Sequence, residues 1–397
     1  MGMREMDGFG SLDLGLDTVQ PPAVAQAEFG DAVRKIGAFA QMGLDDGCRC
    51  AGAVGGDARG ISRQRAPRHL GGWRETFESA KGWREVERRR GAHVECGRDH
   101  RLTALCLARQ AGQDDVIAIV AQYTNGEFAH VVLAVKAQDT EVATRALAPH
   151  LSADGCVVSA QNGLNELVIK SVVGDARTMG CFVNFGADYL EPGVIEYAGR
   201  GAVVLGEIDG RTTSRLRELH RAFLDFDERA IVTANIWGYL WGKLAYGAQL
   251  FATALTDDPI ADALADPAYR DVYVEIAREV MRVAQARHIT PEGFDGFDPS
   301  AFAPAAPRAV SERSLDALVA FNRRSAKTHS GIWRDIAVRK RRTETDGILG
   351  PIVRLGAEAG VPTPLIARLI ALMHDVEAGR RTQGRETLDL LRATTVG

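Results

Sequence analysis

No run of about 18 consecutive apolar residues occurs in this chain of 397 residues, which argues against a transmembrane helix. Met1 to Gln20 is acidic and glycine-rich and lacks the apolar core of a signal peptide. No one sign of charge dominates. At a net charge of -4 the chain has no overall field that would draw it to nucleic acid or an anionic membrane. The six cysteines, at 48, 50, 96, 106, 156 and 181, show no zinc-ligand spacing. His329 and His374 have no partner at metal spacing, so no metal is assigned. No internal repeat or heptad is present. Cys156 and Cys181 fall in strand-like contexts and read as reduced core residues, and a cytoplasmic location is the default.

What is present is an ordinary soluble composition, 46% hydrophobic and 25% charged, on a chain long enough for two domains. Residues 1–45 are weakly periodic and are expected to form a poorly ordered extension. Residues 46–110 are arginine-rich and show no convincing strand. From Asp115 the pattern sharpens. Asp115–Val120, His130–Val135 and Gly155–Ala160 read as strands, with a helix over Thr140–Leu151 between the last two. That rhythm predicts a parallel sheet. Val194–Tyr197 and Ala202–Leu205 read as an antiparallel pair around Gly199–Gly201. From Thr212 onward helices are expected over 212–225, 235–255, 268–287, 312–346, 348–360 and 364–378, with a loop over Gly293–Arg308.

The most informative helix is 235–255. Trp237, Trp241, Leu244, Ala248, Phe251 and Leu255 share one apolar face, and Asn235 suits its N-cap. Lys243 lies off that face among glycines and aromatics. Desolvation would bring such a lysine toward a working acid's range. Spacing alone favours a plainer alternative, a solvated lysine snorkelling from a core helix.

Other candidates are each ambiguous singly. Gly52 and Gly55 resemble the end of a phosphate-binding glycine loop, but no apolar strand precedes them and no helical period follows. Lys136 ends a buried strand, where open α/β sheets bind ligands, or it faces water there. Asn162 and Gly163 occupy the same edge one strand later, or form a simple turn. Glu344 reads as part of a basic helix with a solvated face. Ser330 alone is a polar helix or loop residue.

In order and spacing these pieces resemble the ketopantoate reductase family over roughly residues 115–380. The resemblance rests on Leu133-Ala134-Val135-Lys136-Ala137, Ser159-Ala160-Gln161-Asn162-Gly163, Gly201 through Gly206-Glu207, Asp209-Gly210, Trp241-Gly242-Lys243-Leu244, Arg342-Thr343-Glu344-Thr345-Asp346 and Gly360-Val361-Pro362-Thr363-Pro364.

The resemblance implies a Rossmann-like parallel-sheet domain over 46–228, degraded in its N-terminal part, that binds NADP(H). It implies an all-helical substrate and dimerisation domain over 229–397. The reaction implied is NADPH-dependent reduction of a 2-oxo acid, ketopantoate to pantoate or a related substrate, as in pantothenate biosynthesis. Lys243 would be the proton donor. Gly52, Gly55, Lys136, Asn162, Gly186 and Glu344 would serve the cofactor, and Asn162, Gly247, Phe251 and Ser330 the substrate. The family's substrate serine aligns with Gly331, next to Ser330. A small 2-oxo acid is the expected partner, with no nucleic acid or membrane, and a homodimer stands among the expected assemblies.

The chain departs from the family twice. Asparagines four and eight residues after the lysine are replaced by Gly247 and Phe251, which predicts a substrate with a more apolar tail. Within 46–110 only the loop fragment survives, as a shifted reading frame would leave it. Two alternatives stay open: an opine-type or 3-hydroxy-acid dehydrogenase, and a catalytically impaired helical interaction protein.

Overall fold

The computed structural model describes the backbone of residues 93–95, 101–108, 116–124, 127–191, 194–199, 201–325 and 327–395. Side chains are described for 128–185, 201–224, 226–325 and 327–395. The expected extension over 1–45, and Gly52 and Gly55, lie outside these residues.

An eight-stranded mixed sheet forms the first half. Its strands are β1 (His93–Glu95), β2 (Arg101–Ala108), β3 (Val116–Thr124), β4 (Glu127–Leu133), β5 (Leu151–Ser159), β6 (Thr178–Val183), β9 (Val203–Glu207) and β10 (Ile231–Val232), in the order β1-β2-β3-β4-β5-β6-β9-β10. A separate hairpin, β7 (Gly186–Glu191) with β8 (Val194–Gly199), leaves the sheet after β6.

The expected parallel unit is present as β4-β5, with Leu133 opposite Ser159, and β6, which was not expected, extends it with Ser159 opposite Gly180. It is joined by α1 (Thr140–Leu147) and α2 (Glu166–Val173). Val131, Leu133, Val135 and Val157 pack on Ala143, Leu147 and Ile169 of these helices. Val132, Ala134, Cys156 and Val158 face the other way, onto Leu216, Leu219 and Phe223 of α3 (Ser214–Phe226). A strand covered on both faces has no solvent side, which is why β4 and β5 read as near-continuous apolar runs. Cys156 and Cys181 are buried free thiols.

Several expectations are corrected. The sheet is antiparallel from β1 through β4, and two of those strands fall within 46–110, where none was expected. The helix from Thr140 stops at Leu147, because Pro149 follows it in a short 3-10 turn, and β5 begins at Leu151 rather than Gly155. Residues 194–197 and 202–205 do not pair with each other. β8 pairs with β7, and β9 crosses into the main sheet beside β6. All five residues of β9 are buried, and a two-stranded ribbon cannot cover both of its faces.

The second half is helical: α4 (Ile236–Thr253), α5 (Ile260–Ala265), α6 (Arg270–Ala286), α7 (Arg308–Arg324), α8 (Gly331–Ala337), α9 (Thr345–Ile348), α10 (Gly350–Glu358), α11 (Pro364–Glu377) and α12 (Arg385–Arg392). The single helix expected over 312–346 is in fact α7, α8 and the start of α9. Ser330 caps α8 by accepting the Trp333 N–H at 3.1 Å, and Lys340, at φ 53°, stops helical propagation. No described helix is long and apolar enough to cross a membrane.

α4 runs through the centre of this half. Asn235 caps it, its side-chain oxygen accepting the Gly238 N–H at 3.1 Å. Trp241, Leu244, Ala248 and Phe251 are buried against Val272, Ile276 and Val280 of α6 within one core. Burial of a side chain such as Phe251 contributes roughly 1.5–3 kcal/mol.

Candidate functional site

Lys136 follows β4 by three residues and is only 6% exposed, so it does not face water. Its Nζ donates to Glu344 Oε2 at 2.9 Å, while Glu344 Oε1 accepts the Ala137 N–H at 2.8 Å. One carboxylate thus clamps the chain where it leaves the sheet. Asp335 Oδ2 lies 3.9 Å from the same ammonium. Burial opposes the charge on Lys136, but Glu344 and Asp335 outweigh it and hold the ammonium above the ordinary lysine value. Glu344 stands at the N-terminal boundary of α9 rather than inside a basic helix. It gets there because Asp335 Oδ1 gathers Arg339 Nη1 and Arg341 Nε, each at 2.9 Å, folding 338–344 back over the site.

One strand later, Gln161 Nε2 donates to the Val135 carbonyl and to Thr140 Oγ1, both at 2.8 Å. Thr140 Oγ1 donates on to Asn165 Oδ1 at 3.0 Å, and Asn165 Nδ2 to the Asn162 carbonyl at 2.7 Å. Gln161, Thr140 and Asn165 are buried, so this chain fixes the turn after β5 against the loop after β4. Gly163 sits at φ 95°, which only glycine adopts without strain. The side-chain amide of Asn162 has no hydrogen-bond partner among the described residues and faces a cavity.

Glu166, the first residue of α2, is fully buried, and neither carboxylate oxygen has a hydrogen-bond partner among the described residues. Desolvation pushes its carboxyl up to about 8, from 4.5. Between those values the folded protein holds one proton that the unfolded chain has released. Stability therefore falls as pH rises through that window, at up to about 1.4 kcal/mol per pH unit, and levels off above it. Glu166→Gln is expected to remove this slope. Urea unfolding of both proteins from pH 4.5 to 8.5 checks it; parallel curves would disprove the shift.

The third wall is α4. Lys243, Tyr246, Gly247 and Leu250 recur at i, i+3, i+4 and i+7, a half-buried stripe beside the apolar face. Lys243 Nζ donates to the Val183 carbonyl at the end of β6 and lies 5.4 Å above the Phe182 ring. Gly242 beside it is needed for packing, since a Cβ there would collide with the Glu292 carbonyl oxygen.

These walls enclose a cavity of about 430 Å³. It brings together Lys136, Asn162, Lys243, Gly247, Phe251, Ser330 and Glu344 from residues far apart in the chain. Gly186 opens β7 next to the cavity-lining Phe185. Sequence reasoning missed Tyr246, Asn322, Arg324 and Asp335. Tyr246 was accessible from its helical spacing to Lys243; Asp335 carried no local signal. Lys136, Lys243, Arg324 and Lys327 face the cavity against Asp335 and Glu344, a surplus of two positive charges in a chain of net charge -4. An ammonium, a free amide and a net positive, partly apolar cavity suit an anionic ligand whose reacting oxygen takes a proton. No group of three or more His, Cys, Asp or Glu suited to a metal occurs among the described residues.

Comparison with known proteins matches residues 97–210 to the family described as ketopantoate reductase PanE/ApbA, and 235–377 to its C-terminal counterpart. The match begins at 97, earlier than the Asp115 at which the strand pattern sharpens. A 2-dehydropantoate 2-reductase of Pyrobaculum aerophilum is 30% identical over 246 residues, 62% of this chain and 75% of that protein. The solved structure of a PanE/ApbA family ketopantoate reductase from Ralstonia eutropha aligns at a TM-score of 0.51 and 24% identity, covering 64% of this chain and 77% of the other. D-mandelate dehydrogenase, solved with NADH and anilino(oxo)acetate, aligns at 0.54 and 20% identity, covering 64% and 78%. At those identities the two structures speak to the fold: a Rossmann-like α/β half followed by a helical half.

Proposed function

This chain belongs to the ketopantoate reductase family, and from that footing we propose that it reduces the ketone of a 2-oxo acid to the 2-hydroxy acid with NADPH. The observation that carries this reading is the convergence of Lys243, Asn162 and the Lys136–Glu344 pair on one positively charged cavity.

The residues present fit a nicotinamide cofactor. The unpartnered Asn162 amide sits beyond the carboxyl ends of adjacent parallel strands, where open α/β sheets receive such groups. Asn162 and Lys136 would hold it, and when bound it supplies the hydride. Lys243 donates a proton from Nζ to the oxygen that becomes the alkoxide, and its ammonium polarises the carbonyl beforehand. One of its three N–H groups is held by the Val183 carbonyl, which aims the ammonium along the cavity wall. Glu344 keeps Lys136 and the Ala137 backbone in place, so the loop after β4 meets the cofactor in a fixed shape.

The substrate tail is proposed to be apolar. Gly247 and Phe251 offer no hydrogen bond where the family has asparagines, and Leu250, Ile260 and Phe321 complete that wall. A hydroxyl buried there without a partner costs about 1–3 kcal/mol. The kcat/KM for phenylpyruvate or 4-methyl-2-oxopentanoate is therefore expected to exceed that for ketopantoate about tenfold or more. NADPH oxidation with a panel of 2-oxo acids tests both points. Ketopantoate as the best substrate would refute the apolar tail, and no turnover of any 2-oxo acid would refute the reductase.

A further inference from the structure

Four cations face the cavity, and they are not equivalent. Lys136 is committed to Glu344, and Lys243 to the Val183 carbonyl. Lys327 also has an interaction partner. Arg324 has no hydrogen-bond or ion-pair partner among the described residues, yet lines the same cavity. It is the last residue of α7. A cation at a helix C-terminus is favoured by the helix dipole alone, but its neighbour Arg323, equally placed for that, does not face the cavity.

The end of α7 is held in register with the helix that carries Lys243. Asn322 is buried; its Nδ2 donates to the Leu318 carbonyl at 2.9 Å and to Tyr246 Oη at 3.2 Å. Tyr246 stands three residues beyond Lys243 on α4. Phe321, one turn before Arg324, faces the cavity too. Arg324, itself exposed, therefore stands at the rim of the cavity on an anchored helix end, beside apolar surface.

We propose that Arg324 receives the substrate carboxylate, its planar fork pairing with both oxygens, so that the adjoining ketone is presented to Lys243. The proposal rests on the reductase reading above. A 2-oxo acid has its carboxylate bonded to the ketone carbon, so two separate cations on one cavity match its two oxygen-bearing groups. The tail then lies toward Leu250, Phe251 and Phe321.

The test uses the full chain with phenylpyruvate and its uncharged methyl ester. Arg324→Ala is expected to raise KM for the acid about ten- to a hundredfold while changing KM for the ester less than about twofold. Arg324→Lys should recover part of the loss. The Kd for NADPH, read by fluorescence titration, should not move. An equal rise for acid and ester, or none, overturns the assignment. So does weakened NADPH binding with an unchanged acid KM, which would put a cofactor phosphate on Arg324 instead. If the wild type turns over neither compound, the reductase reading has failed. Calorimetric binding of phenylpyruvate then decides Arg324 on its own: binding lost only in Arg324→Ala supports it, and binding that is equal or absent in both overturns it.

Discussion

Replacing Lys243 by alanine is expected to lower kcat for a 2-oxo acid about a thousandfold. General acid catalysis contributes roughly 10²–10⁴ in rate, and an ammonium aimed at a developing alkoxide adds electrostatic stabilisation to the same oxygen. The loss should fall on kcat, because the proton is needed only as negative charge develops. NADPH affinity should be retained, since Asn162 and Lys136 approach the cavity from the sheet and not from α4. The fold should also survive. Lys243 is half-buried, at the edge of the apolar face rather than within the core, and it donates to the Val183 carbonyl. Steady-state kinetics with a cofactor titration reads both quantities. A variant within about threefold of wild-type kcat would show that the proton comes from elsewhere.

The second large effect concerns stability. Glu344→Ala removes the carboxylate 2.9 Å from buried Lys136, with that of Asp335 3.9 Å away, and also orphans the Ala137 N–H. Breaking one partner out of a buried pair costs about 3–5 kcal/mol. Replacing both partners by apolar groups, as in Lys136→Met with Glu344→Leu, should recover most of that, because no uncompensated charge remains. Urea unfolding of the single and double variants measures it. A single variant destabilised by less than about 1 kcal/mol would mean that Asp335 or water already carries the ammonium.

How much of this was legible in the sequence depends on where each signal resides. The Lys243 helix was readable throughout: its cap at Asn235, its buried face from Trp241 to Phe251, and its end near Thr253 follow from local periodicity. The same holds for β4 and β5, whose apolar runs reflect cover on both faces. The partner of β9 was not readable, because pairing is decided by which sheet face lacks cover. Glu344 was misplaced for a related reason. Its basic neighbourhood resembles a solvated helix, but Arg339 and Arg341 are spent on Asp335 and the segment is folded back rather than helical. Family resemblance supplied the significance of Lys136, Asn162 and Glu344. It said nothing of Arg324, whose meaning comes from lacking a partner in three dimensions.

Lys136 and Glu344 are 208 residues apart in sequence. Contacts of that span form only after the entropy of closing the intervening loop has been spent. Until Glu344 arrives, the ammonium at the sheet's edge lacks its closest carboxylate, so burying that edge early is unfavourable. Assembly of the cavity is thereby made contingent on both the sheet and the helical half. A fragment that stops short of residue 344 is expected to leave Lys136 and the Ala137 N–H without this carboxylate, so the ion pair would act as a completeness check on the folded molecule.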